Sequence, residues 1–190
     1  MSNDTEIKDK VREDVYDEEL LNRLLDGNDI DQFRDEFLAM HNYDQSEYFE
    51  DTDDNNRQKI FEFLSPKEVA NFFDQLDIDD EDYEELFDKI NANYASHVLE
   101  EMSYDNSVDI LNKLSKSKVA SLLTLMDKDE ANEIKALLHY EEDTAGGIMT
   151  TEYISLKSTT PVKEALMHVK EQAPDAETIY VIFDVNEAGQ

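Results

Sequence analysis

The chain has no cysteine and no tryptophan, and only 4 glycines and 3 prolines among its 190 residues. Without thiols it can build neither a disulfide framework nor a thiolate metal centre, and a reducing, cytosolic compartment is the expectation. With so few backbone breakers a turn-rich β fold is a poor expectation, whereas abundant Leu, Glu, Asp and Lys favour short helices. No charged-then-apolar leader opens the sequence. No apolar run approaches the ~18–20 residues a membrane helix needs, so any membrane part is expected elsewhere. There is no GxSxG, no Walker loop and no Cys nucleophile, and no enzyme is expected. Positive charge is also scarce: 17 basic residues face 48 acidic ones, a net of −31. That balance excludes nucleic acid, whose phosphates need Lys and Arg, and direct contact with anionic lipid heads. Cations and basic protein surfaces are the natural partners, and solubility alone is the plainer use of the charge.

What is present is enough apolar residue, 39%, for a core. The acid excess runs the whole length, with 20 acidic and 7 basic residues in 1–64, 18 and 7 in 65–138, and 10 and 3 in 139–190. Residues 1–8 read as a polar tail. A helix pattern runs from about Asp9 to Leu25, with Val11, Val15, Leu20, Leu21, Leu24 and Leu25 near one face. The stretch 26–29 is a turn whose Asp29 can cap a second helix ending near Met40. From there the sequence repeats. Residues 64–76, 90–102 and 114–126 share a template, most clearly Leu64-Ser65, Val69-Ala70 and Phe72-Phe73 against Leu114-Ser115, Val119-Ala120 and Leu122-Leu123. Each is followed by a second apolar-periodic stretch, giving four helix pairs over 39–64, 65–90, 91–114 and 115–138. A period of about 25 residues built from two short helices predicts a helical solenoid. Ser65-Pro66-Lys67-Glu68 reads as a capping box with Pro at the first helical position, and Asp127 to Glu130 repeats the logic.

The character changes at Tyr140. An acidic stretch leads to Gly146-Gly147, a link or tight turn. Strand signals follow at 153–156, a helix after Thr160-Pro161, and a buried strand over 178–183. A parallel pair of strands cannot close a core alone, and the chain stops where a further strand is expected. The fold class is therefore mainly α: a superhelical solenoid of short helix pairs followed by an incomplete α/β unit.

Two acidic clusters invite a metal reading. Asp51, Asp53, Asn55 and Glu62 imitate the spacing of a calcium loop, but Asn56 stands where its glycine belongs and Gln58 where an apolar residue belongs. The group Asp77, Asp79, Asp80, Glu81, Asp82, Glu84 and Glu85 lacks the glycine too. Helix capping and dipole complementation explain both more simply, with diffuse divalent-cation binding as the functional alternative. His41, His97, His139 and His168 have no spacing for zinc. His41 is expected at the start of a repeat helix and His97 on an exposed or interface face.

Residues 140–151, Tyr-Glu-Glu-Asp-Thr-Ala-Gly-Gly-Ile-Met-Thr-Thr, resemble the junction of MgtE-family magnesium transporters between the N-terminal helical domain and the first CBS domain. Met149-Thr150, 153–156, 160–166 and 173–180 are similar to the first half of that CBS domain, and His41-Asn42-Tyr43-Asp44 resembles a repeat opening of the family's N domain. The resemblance implies boundaries at 1–8 (tail), 9–138 (helical N domain), 139–152 (junction) and 153–190 (truncated CBS domain). It implies regulatory Mg2+ bound between the N and CBS domains, holding the cytosolic region compact and the pore closed. It implies ATP in a complete CBS pair, a homodimer through the CBS domains, and partnership with the protein's own CBS and transmembrane domains at the cytoplasmic face of the cell membrane. By family position the ion meets the backbone carbonyl of Gly147. Asn71 and Asn93, with His97 nearby, stand where relatives carry carboxylates, and Glu100, Glu101, Asp105 or Asp143 can substitute. Val181 occupies a position that can flank adenine with an aromatic ring. The expected function is thus magnesium sensing for a channel or transporter. The alternative is an acidic helical-repeat adaptor that binds a basic protein, and a weaker one is the regulatory half of an enzyme.

Overall fold

Seven of the eleven described helices begin where a polar side chain takes up an orphan backbone N–H. In the computed structural model, which describes residues 16–140, 144–146, 149–173, 176 and 179–186, Asp17 accepts from the N–H of Leu20 at 2.9 Å and starts α1 (Glu18–Gly27). Of the helix expected from Asp9 to Leu25, the described part starts at Glu18: Asp17 is extended, and its carboxylate fixes the N-terminus there. Residues before 16 lie outside the described part. Asn28, at φ 56°, closes α1 by sending its N–H back to the Leu24 and Leu25 carbonyls, a left-handed cap that Asn tolerates. Asp29 then caps α2 (Ile30–Leu38), as expected.

The four predicted pairs follow within a few residues: α3 (Asn42–Asp51) with α4 (Asp54–Phe63), α5 (Pro66–Phe73) with α6 (Asp80–Lys89), α7 (Ala92–Glu101) with α8 (Tyr104–Asn112), and α9 (Lys116–Leu125) with α10 (Lys128–Leu137). His41 is the cap of α3, its Nδ1 accepting from the N–H of Tyr43. The Ser65–Glu68 capping box forms in full. The second expected box does not. Asp127 caps α10 through the N–H of Asp129, but Glu130 turns away to the hydroxyl of Tyr104. The calcium-like spacing is a helix end and a cap, with Asp51 closing α3 and Asp53 opening α4.

None of these helices is long enough to be stable alone, so neighbours supply the stability. Helices α3, α5, α7 and α9 stack in one row, and α8 packs on α10 in the other. Phe33, Phe37, Phe72, Ile60 and Leu99 are fully buried between them. The N-terminal half of the core is aromatic: Phe37 meets Phe72 edge-on at 5.6 Å, and Phe49 meets Phe73 at 5.4 Å. Such pairs add roughly 0.5–1.5 kcal/mol beyond the area they bury.

The acidic residues bind the repeats to one another. Glu50, Asp74, Glu84 and Glu100 each accept a backbone N–H at or just before the start of a later helix, from Asp77 (2.9 Å), Ser103 (3.2 Å), Ser115 (2.8 Å) and Asp127 respectively. Basic side chains bridge the same way. Arg34 grips Glu68 through two hydrogen bonds and also donates to the Phe63 carbonyl. Lys89 reaches Asp54 at 2.5 Å, and Lys118 reaches Asp88 at 2.6 Å.

After the array come β1 (Ile154–Lys157), α11 (Val162–Gln172) and β2 (Ile182–Val185). The strands are parallel, Ile154 facing Ile182 and Lys157 facing Val185. The strand expected over 178–183 is shorter and shifted to 182–185, and it is exposed rather than buried; half of the Phe183 surface is open. One helix and two strands bury a single position, Ile154, and leave the outer face of β2 uncovered. No described helix meets the length and hydropathy of a membrane span.

Candidate functional site

Between the array and the strand–helix unit lies a cleft of about 820 Å³. Its walls come from the ends of helices whose positions the stacking fixes. Glu100, Glu101 and Met102 close α7; Tyr104 opens α8; Glu130 and Glu133 stand one turn apart on α10. Opposite them are residues 151–154, including Glu152, with Gln172 at the end of α11. Five glutamates therefore share the cleft, and Lys67 is the basic side chain among its lining residues.

Several of these carboxylates already have partners. Lys67 binds Glu101 at 2.9 Å. Glu100 accepts the N–H of Asp127 and lies 3.9 Å from His97 Nε2. The Tyr104 hydroxyl donates to Glu130, and the Tyr104 backbone N–H donates to Glu152 at 2.8 Å. Burial pushes the Tyr104 phenol well above its usual range, and the Glu130 bond and the charges of Glu130, Glu152 and Glu133 add to it. Tyr104 therefore stays a neutral donor at physiological pH. Below it, Asp74 receives the N–H and hydroxyl of Ser103 and the side-chain amide of Asn106. Burial raises the Asp74 carboxyl in spite of those donors.

The donors of this cleft are hard oxygens, the type magnesium and calcium take. They are spread along its walls: among the described residues no three His, Cys, Asp or Glu converge closely enough to hold an ion directly.

The residues singled out in the sequence are placed as follows. Asn71 on α5 and Asn93 on α7 are exposed, and neither lines the cleft. Asn93 lies 3.5 Å from His97 Nδ1, one end of a polar row that climbs α7 through His97 to Glu100. Gly147 and Asp143 lie outside the described residues. Glu100 and Glu101, the proposed substitutes, both line the cleft. Asp105 sits behind it in the first turn of α8, one oxygen buried without a hydrogen-bond partner. Gly146 does not adopt a left-handed backbone; its lack of a side chain admits the Tyr140 ring, which a Cβ would meet at 2.2 Å.

Sequence reasoning did not find Glu130, Glu133 and Glu152. They lie 26 to 48 residues from Tyr104, and the superhelix brings them together. A weak signal existed: Glu130 and Glu133 are three apart on one helix face, and Glu130 is the capping-box glutamate that is not used for capping.

Residues 40–143 match the family of the MgtE intracellular N domain. A magnesium transporter MgtE of Enterococcus faecalis is 42% identical over 168 residues, covering 88% of this chain. The chain spans 37% of that relative's length. One of Thermus thermophilus is 42% identical over 91 residues, covering 46% of this chain and 20% of the relative. A crystal structure of the soluble part of a magnesium transporter superposes with a TM-score of 0.85 at 42% identity, over 90% of this chain and 66% of that one. The cytosolic domain of the Mg2+ channel MgtE, solved in complex with ATP, superposes with a TM-score of 0.79 at 29% identity, over 90% of this chain and 69% of that one.

Proposed function

The chain belongs to the MgtE family through its intracellular N domain, and on that footing we propose that it is the cytosolic magnesium-sensing region of a magnesium channel or transporter. Its role in this reading is regulatory, not catalytic. The observation that carries it is the cleft between the helical array and the strand–helix unit, walled by Glu100, Glu101, Glu130, Glu133 and Glu152. With no divalent ion, like charges on the two sides oppose close approach. An ion that binds only the closed arrangement shifts the population toward it by mass action. Glu101, Glu133 and Glu152 are the proposed principal contacts, meeting hydrated magnesium from opposite walls. The Gly147 carbonyl is proposed to face the same ion, with Asn71 and Asn93 as neutral, water-mediated positions at the periphery.

The domain reading goes with this: 9–138 as the helical N domain, 139–152 as the junction and 153–190 as the first half of a CBS domain. The uncovered face of β2 is proposed to receive the rest of that domain, and homodimerisation to run through the completed CBS domains. ATP is proposed to contact such a completed pair weakly. Val181, half exposed, offers no ring to stack on adenine, and stacking of that kind contributes roughly 1–3 kcal/mol per base.

The test is thermal unfolding of the chain in magnesium chloride against sodium chloride at matched ionic strength. General screening is indifferent to ion identity, whereas bridging of carboxylates needs a divalent ion. Magnesium at millimolar concentration is expected to raise the midpoint above the sodium value, and the double substitution Glu101→Gln with Glu133→Gln to remove the difference. Equal midpoints for the unsubstituted chain would leave the acidic surface as solubility or as the binding face of an adaptor.

A further inference from the structure

We propose that a groove at the N-terminal end of the array is the docking site of the chain's own segment 7–15, which closes that end of the array as a terminal cap. Such a cap lies away from the acidic cleft and is independent of the magnesium reading.

A groove of about 350 Å³ opens between the start of α1, the end of α2 and the start of α3. Leu20, Ala39 and Met40 line it with apolar surface, and Glu36 and Asp44 with carboxylates. Leu20 and Met40 pack on the core but are only partly buried, so each has apolar surface left for a further neighbour. Asp44, in the first turn of α3, is 8% exposed, and among the described residues no hydrogen bond or ion pair reaches its carboxylate. A buried charge without a partner is costly, and the dipole at the start of α3 offsets only part of that cost. The next residue, Gln45, is 3% exposed; its side-chain amide donates to the Met40 carbonyl, while its Oε1 is buried without a partner. No Lys or Arg stands among the described lining residues. What complements such a groove is a basic side chain carried beside an apolar face, its stem along the apolar wall and its charge toward Asp44.

Segment 7–15 has that chemistry. Ile7, Val11 and Val15 are four apart, the spacing of one apolar stripe on a helix. Helical spacing puts Lys8 and Arg12 beside the stripe and Asp9 and Glu13 on the opposite face. In a sequence this poor in positive charge, Lys8, Lys10 and Arg12 fall within five positions. The segment is also in the right place. It leads directly into Tyr16 and Asp17, and both line the groove. Asp17 is extended, so the chain can change direction there before α1 begins. Tethered at the groove, the segment has an effective concentration that a free partner would have to match. The benefit falls where a stacked array needs it: the terminal unit has a neighbour on one side only and requires a cap.

The absence of cysteine allows a direct test in the 190-residue chain. A nitroxide is attached at Asp9→Cys, on the face opposite the stripe, and NMR follows isotope-labelled methionine methyl groups. Met40 reports on the groove, and Met102, Met126 and Met149 serve as distant references. The nitroxide is expected to remove most of the Met40 signal and to spare the references. Ile7→Asp with Val11→Asp should restore most of that signal, whereas Ile7→Leu with Val11→Leu should leave it suppressed. Asp44→Asn should restore it in part, as should high sodium chloride, which screens the pairing. Circular dichroism on each variant confirms that the array remains folded. If the Met40 signal is the same with Ile7→Asp and Val11→Asp as without them, the segment does not dock and the groove is left to another partner. A second sample mixes nitroxide-bearing chains that carry no isotope with isotope-labelled chains that carry no nitroxide. Loss of the Met40 signal there would show the segment seated on a second copy, and would overturn the cap within one chain.

Discussion

The helical array and the strand–helix unit are made from the same acid-rich, breaker-poor sequence, yet only one of them builds a core. In the array the helices stack on one another, and Phe33, Phe37, Phe49, Phe72, Leu99 and Ile134 are almost or fully buried. Among the described residues of the strand–helix unit Ile154 alone is fully buried, while Val162 is 78% exposed and Phe183 50%. The difference is one of layers, not of composition. A residue such as Phe contributes its hydrophobic free energy only where a second surface covers it.

The sharpest way to break this comparison is to cut a phenylalanine from each region. Phe72→Ala in the array should cost ~3–5 kcal/mol, as large-to-small changes in closed cores do. Phe183→Ala in β2 should cost less than about 0.5 kcal/mol, in the range of surface substitutions. Denaturant unfolding followed by helical circular dichroism measures both, and comparable costs would mean that the β2 face is covered in solution.

The next effect is electrostatic and confined to the array. The Arg34 guanidinium holds the Glu68 carboxyl down from 4.5 to about 2. A depressed carboxyl contributes stability that is present above its unfolded value and lost as pH falls from about 4.5 toward about 2. Glu68→Gln should therefore cost about 1–2 kcal/mol at neutral pH, after allowing for the partial exposure of Arg34, and a diminishing amount as pH falls through about 2. An acid titration of stability for both forms checks it, and parallel curves would contradict it.

The smallest effect sits at the hinge between the regions. Gly146→Ala places a Cβ against the Tyr140 ring. Because that ring is nearly half exposed, it can swing aside, and the cost should stay below about 1 kcal/mol and vanish in the Tyr140→Ala background. A cost that persists there would assign the glycine to the backbone turn instead of the ring.

Much of this was legible in the sequence, for a physical reason. Helix pairs of fixed period announce themselves by local pattern, and caps such as Asp29, His41 and Ser65 act within three residues of themselves. The register of the four pairs came from one shared template, carried by Leu64-Ser65, Val69-Ala70 and Phe72-Phe73 and repeated at Leu114-Ser115, Val119-Ala120 and Leu122-Leu123. What local pattern could not reveal are interactions about one repeat or more long. Glu130 reads as a capping-box residue and is in fact a cleft residue, because Tyr104 offers it a hydroxyl from another helix. Glu84 reads as one member of an acidic run, and its actual acceptor role toward Ser115 depends on the superhelical turn. Asn71 and Asn93 were chosen by resemblance, and their exposed positions outside the cleft follow from the helix phase that the stacking sets.

The carboxylates that tie the repeats together have a direction. Glu50, Asp74, Glu84 and Glu100 all precede, by 27 to 31 residues, the N–H groups they accept. A ribosome releases the chain in the same order, so each new helix start emerges to find its acceptor already made and folded upstream. Growth from the N-terminus thus presents these four helix starts with acceptors that are already in place. Removing repeats from the C-terminal end returns carboxylates to water, whereas removing them from the N-terminal end frees backbone donors at helix starts, of which that of Ser103 is the partly buried one. The array is thus polar in the sense that a staircase is: each step rests on the one before it.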